Sequence, residues 1–175
     1  MPSGRTHDAF SYVLVLPSFL TFHWYWGSVL VPLVATSGML FAGLMFGPDL
    51  DIHSAQYKRW GPARFIWAPY RLAISHRSRL SHGILFSTVV RVLYFLAIVL
   101  LLSTCVFYVR HHYLFGLETS WSAEFQRVSD DLMVLWKQTD KHYFKAAFLG
   151  LWIGAAVHTV VDVAVSIVKL LWKAI

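Results

Sequence analysis

Apolar residues run through this chain in four long stretches, each near the length of about 20 residues that a helix needs to cross a bilayer. The first extends from about Ala9 to Trp26 and contains Pro17. The second extends from about Ser28 to Phe46, with Pro32 in its first turn, where proline is tolerated. A third begins near Gly83 and ends near Val109, and a fourth begins near Tyr143 and reaches the C-terminus. Trp24, Tyr25 and Trp26 form an aromatic cluster of the kind found at membrane interfaces.

Two polar segments separate these stretches. From Gly47 to His82 the chain carries Lys58, Arg59, Arg64, Arg71, Arg77 and Arg79 against Asp49 and Asp51. From Arg110 to Lys145 the signs are mixed, and Trp121, Phe125, Val128, Leu132 and Leu135 recur at helical spacing. That recurrence predicts an amphipathic interfacial helix. The expectation is therefore an all-α integral membrane protein of about four transmembrane helices plus one interfacial helix, with residues 1–175 forming a single domain. The first stretch runs too far beyond a signal core to read as a cleavable leader.

Composition agrees with a bilayer: 57% of residues are hydrophobic, 17% aromatic and only 14% charged, against about a quarter charged in soluble domains. The formal charge of +6 then points to anionic lipid rather than nucleic acid. Basic residues favour the cytoplasmic side, which places Arg5, the Gly47–His82 loop and Lys169 and Lys173 inside the cell. Cys105 is the single cysteine and lies in an apolar run, which excludes a disulfide framework and a thiolate metal site.

Acids are scarce, and those outside the amphipathic segment each have a histidine close in sequence. His7 adjoins Asp8, His53 follows Asp51, and His158 precedes Asp162 by one helical turn. With four spans, the N-terminus, the Gly47–His82 loop and the end of the fourth helix fall on one membrane face, where His76 and His82 also lie. Gly150 and Gly154 extend the His158–Asp162 stripe backwards, and small residues mark faces where membrane helices pack closely. The polar pair thus points into the bundle, and ionisable groups held there are costly and functional by default. A private hydrogen bond locking the bundle is the plainer alternative. Thr6 is a candidate N-cap before His7 and Asp8. Gly43, Gly47 and Asp51 lie at four-residue intervals, although Pro48 interrupts them. His111, His112 and His142 fall at the opposite face, His23 is expected to hydrogen-bond within the bundle, and His53 is a spare. Arg91, nine helical residues from His82, is expected on the far side of its helix.

These residues carry a family resemblance. The chain resembles an uncharacterised bacterial and archaeal family of membrane metal-binding proteins, and more distantly it is similar to the LexA-regulated, membrane-bound metal-dependent hydrolases. The matching pieces are Gly4-Arg5-Thr6-His7-Asp8, Gly47-Pro48-Asp49-Leu50-Asp51 and Arg59-Trp60-Gly61. They continue with Trp67-Ala68-Pro69-Tyr70, His76-Arg77-Ser78-Arg79-Leu80-Ser81-His82-Gly83 and His158-Thr159-Val160-Val161-Asp162. The resemblance implies metal ligands at His7, Asp49, Asp51, His76, His82, His158 and Asp162. The hydrolases carry a shorter His-Arg-Gly-x-Thr-His-Ser segment, and Ser78 here stands in place of its glycine.

Imidazole and carboxylate donors without thiolate suit zinc first, with manganese or iron as alternatives. The expected function is a hydrolase using divalent metal ions on a phosphoester or lipid-linked substrate at the membrane face. Asp49 or Asp8 would serve as general base, and Arg77 and Arg79 would hold an anionic head group. The competing class is a non-catalytic metal-binding assembly or metal-handling protein. The membrane is expected to be a prokaryotic inner membrane, plasma or internal, with the site facing the cytoplasm.

Overall fold

Proline and glycine positions decide where the apolar stretches become helices. A computed structural model describes residues 3–76 and 78–173, and among these there are helices and turns but no strand. The chain divides into two compact units, one of residues 1–91 with 141–175 and one of residues 92–140.

In the first unit, α1 (Gly4–Val13) and α2 (Val15–Trp26) replace the single expected helix. Pro17 has no N–H to give the Val13 carbonyl, so the ladder is interrupted around Leu14. The N-cap of α1 is Ser3, whose side chain accepts from the Thr6 N–H, and not Thr6 as its sequence position suggests. Gly27, in the left-handed conformation, closes α2, and His23 is spent there, 2.6 Å from the Ser28 carbonyl. It caps a turn at an exposed position instead of bridging helices.

α3 (Leu30–Leu44) is 15 residues long, roughly 22 Å at the helical rise, which is shorter than the hydrocarbon core. It packs on α9 (Lys141–Lys173) along a seam of small residues. A methyl group on Gly150 would overlap the Ala35 carbonyl, and one on Gly154 would overlap the Met39 carbonyl. The expected small-residue stripe is therefore the contact itself, with Ala35, Met39, Ala42, Ala146 and Ala155 buried along it.

After α3 the chain turns through a 3₁₀ segment, Pro48–Asp51, then α4 (Ala55–Lys58), a second 3₁₀ segment, Gly61–Trp67, α5 (Ala68–Ala73) and α6 (Arg79–His82). Pro48 ends any helical continuation, so Gly43, Gly47 and Asp51 do not share a helix face. Phe46, Trp60, Trp67 and Tyr70 close this segment by edge-on ring contacts.

α7 (Phe86–Val109) leaves the first unit and passes into the second, where a π turn (Arg110–Leu114) precedes the amphipathic α8 (Trp121–Gln138), as the periodicity predicts. Two helical stretches are long and apolar enough to cross a membrane, Phe86–Leu114 and Lys141–Trp172. α2 and α3 fall short of that length, so the count of four spans is not reproduced among the described residues.

Candidate metal centre

Four chain segments deliver the histidines and aspartates to one place in the first unit. α1 brings His7, the 3₁₀ turn after α3 brings Asp49 and Asp51, and α9 brings His158 and Asp162 one turn apart. His76 precedes α6 and His82 ends it. His7 Nε2 lies 3.3 Å from Asp162 Oδ1, and the His7 and His158 rings stack with centroids 3.8 Å apart. His158 Nε2 lies 3.3 Å from Asp49 Oδ2 and 3.7 Å from Asp162 Oδ2. His82 Nε2 lies 3.5 Å from Asp49 Oδ1.

Those separations carry information. Neutral hydrogen bonds between nitrogen and oxygen fall at roughly 2.7–3.2 Å. Atoms bound to one tetrahedral ion at about 2.0–2.2 Å each sit roughly 3.4 Å from one another. The spacings here match the second case. His7 Nδ1, Asp49 Oδ1, His82 Nε2, His158 Nε2 and both Asp162 oxygens are buried with no hydrogen-bond partner, as is Asp51 Oδ2. Buried polar atoms are ordinarily paired, so imidazole and carboxylate atoms left without a hydrogen-bond partner this close together fit a shared cation. Two sets, His7 with His158 and Asp162, and Asp49 with His76 and His82, each bring their donor atoms within 4.8 Å of one another.

Asp51 behaves differently from the other expected ligands. Its Oδ1 accepts from His76 Nδ1 at 2.9 Å, an ordinary hydrogen-bond length, and its side chain is fully buried. A carboxylate on one ring nitrogen fixes the tautomer and leaves the other nitrogen free to ligate. Asp51 thus orients His76.

Electrostatics favour ligation. Burial pushes the Asp49 carboxyl up, but His158 and His82 beside it outweigh that effect and hold it well below the usual carboxylate range. Burial, reinforced by His158, lowers the His7 imidazole below its ordinary value despite the nearby Asp162 and Asp49. A neutral imidazole and an ionised carboxylate are the protonation states a cation requires.

Several contributors were not singled out in the sequence. Gln56, buried, donates to the Gly43 carbonyl at 2.8 Å, accepts from the Asp49 N–H at 3.2 Å and lies 3.3 Å from His158 Nδ1. It ties the end of α3, the 3₁₀ turn and α9 together, and nothing in its local pattern marks it. Arg91 is fully buried, with a guanidinium nitrogen 3.0 Å from the Ser81 carbonyl. It lies beside the Tyr70 phenol, which burial raises above its ordinary value. This corrects its expected position: the helix breaks between α6 and α7, which resets the phase and turns Arg91 toward the segment that carries His82.

Asp8 does not join the cluster. Both its oxygens are engaged by Arg59, which also donates to the Leu44 carbonyl at 2.7 Å. Together with Gly43, Gln56, His7 and His158 this pair lines a cleft of about 220 Å³ that reaches Asp49. His53 is exposed against Tyr57. Arg77 and the side chain of Arg79 lie outside the described residues. His142 sits at the start of α9, roughly 24 Å along the helix from His158, as expected for a residue outside the site.

The chain matches the family described as uncharacterized metal-binding protein (DUF2227) over residues 2–172. It belongs to that family. The description agrees with a donor set of imidazoles and carboxylates whose buried atoms lack partners. No curated protein and no solved structure matches the chain.

Proposed function

We propose that the protein is a membrane-embedded, metal-dependent hydrolase acting on a phosphoester or lipid-linked substrate at one membrane face. The observation that carries this reading is the set of orphaned donor atoms spaced as ligands of a shared ion. His7, His158, Asp162, Asp49, His76 and His82 would hold the metal, with zinc the first candidate and manganese or iron the alternatives. A bound divalent ion would supply Lewis acidity and a water activated near neutral pH. The chain's own part is to hold donors in the right protonation state and to keep an approach to them. The cleft beside His7, His158 and Asp49 provides that approach, and Arg59 frames its edge. Because Asp8 is held by Arg59 and Asp49 is needed as a ligand, the pair Asp8–Arg59 shapes substrate entry instead of supplying a base.

The membrane setting is part of the proposal. The helical stretches Phe86–Leu114 and Lys141–Trp172 leave many large apolar side chains exposed, among them Leu93, Leu96, Val106, Val163, Ile167 and Leu170. Solvation by hydrocarbon accounts for such exposure. α2 and α3 would complete a four-span bundle, with basic residues of the loop after α3 on the cytoplasmic side of a prokaryotic inner membrane.

A second reading has its own support. Six donors are enough to close a coordination sphere, and the family description stops at binding. On that reading the protein stores or handles metal, or uses it to hold an assembly together. Elemental analysis of purified protein, paired with phosphatase assays on lipid and soluble phosphoesters, separates the two. Metal with turnover supports the hydrolase, metal without turnover across that panel supports the second reading, and absence of metal removes both.

A further inference from the structure

We propose that the centre takes two divalent ions and that Asp49 bridges them; this rests on the metal-centre reading above. The donors fall into two groups that meet at one carboxylate. Asp49 Oδ2 faces His158 Nε2 at 3.3 Å, and His158 belongs with His7 and Asp162. Asp49 Oδ1 faces His82 Nε2 at 3.5 Å, and His82 belongs with His76. The two oxygens of one side chain therefore address different histidines, at separations that fit ligand pairs and exceed ordinary hydrogen bonds.

A single ion would leave donors unexplained on one side. Placed among His7, His158 and Asp162, it does not account for the orphaned His82 Nε2. Placed beside His82 and His76, it leaves His158 Nε2 and both Asp162 oxygens unpaired. The supporting contacts are also divided: Gln56 lies against His158, whereas Asp51 accepts from His76. Each side thus has its own support.

The bridge has a consequence for ligand class. Two divalent ions exceed the charge of Asp49, Asp51 and Asp162, and Arg91 is buried beside Tyr70 in the same unit. The site would carry net positive charge where the cleft reaches His7, His158 and Asp49, which suits an anionic group such as a phosphate.

The test counts ions and asks whether they communicate. Full-length protein in detergent is stripped with chelator, reloaded with Mn²⁺, desalted, and measured by elemental analysis and electron paramagnetic resonance. The expected result is two Mn²⁺ per chain with an exchange-coupled spectrum, since a shared carboxylate couples the spins. His82→Ala should retain one ion with an uncoupled spectrum, and inorganic phosphate should perturb the wild-type spectrum. One ion per wild-type chain, or two without coupling, overturns the bridge while leaving the metal centre standing. No bound ion overturns the metal-centre reading as well. An unchanged spectrum with phosphate overturns the anionic ligand. The wild-type coupling decides the question even where the variant fails to fold.

Discussion

The molecule contains two clusters of histidine and acid, and they differ in spacing. In the second unit Glu124 is fully buried, accepting from His111 at 2.9 Å, Thr119 at 2.8 Å and Arg127 at 3.1 Å. Those are hydrogen-bond lengths, and the His111 bond leads in holding the Glu124 carboxyl below its usual range. In the first unit the corresponding separations are mostly 3.3–3.7 Å, and His158 Nε2, His82 Nε2, Asp49 Oδ1 and both Asp162 oxygens have no hydrogen-bond partner. Residue types alone do not distinguish a lock from a ligand set. The gap between the atoms differs: a lock is satisfied by the protein, whereas a ligand set would be satisfied by an ion.

The largest expected break comes at His158. His158→Ala removes a donor that faces both Asp49 and Asp162, and elemental analysis should show metal lost or sharply reduced. Retention of full metal content would mean the spacing has been misread. Next is the helix seam. Gly150→Val places branched carbon against the Ala35 carbonyl and must push α9 from α3, separating Asp49 from His158. Both thermal stability and metal affinity should fall, whereas Val at the exposed Val160 position shows that the helix tolerates β-branching. Asp51→Asn sharpens the comparison within the site. It keeps an oxygen for His76 but weakens the orienting charge, so metal affinity should drop roughly 10–100-fold while saturating metal still binds. A titration curve identical to wild type would contradict the orienting role. Smallest for the metal is Glu124→Ala, which should lower the melting temperature and leave metal content unchanged. Metal loss there would make the second cluster part of the centre and erase the contrast.

The placement of His158 and Asp162 in the candidate site is legible because it depends on helical arithmetic. His158 and Asp162 are one turn apart, and Gly150 and Gly154 continue their stripe, so the face they share follows from spacing alone. His7, Asp49, His76 and His82 are grouped in the sequence by the family resemblance and by an expected four-span topology that the described residues do not reproduce. Where a helix breaks, spacing no longer fixes which residues share a face. Pro17 divides the first apolar stretch at Leu14, and the irregular Gly83–Leu85 link between α6 and α7 moved Arg91 from an assumed far side into a buried contact with Ser81. Asp8, a candidate general base by its place beside His7, is held by Arg59, 51 positions later. Gln56 was not visible at all, since its value comes from three partners on separate segments. Long-range pairs of this kind leave no local periodicity to read.

X-ray absorption spectroscopy of the protein loaded with Zn²⁺ tests the shared-ion account most directly. The account predicts a first shell of nitrogen and oxygen at about 2.0–2.2 Å, with imidazole scattering and no sulfur. A shell of water oxygens alone, without imidazole, would contradict it.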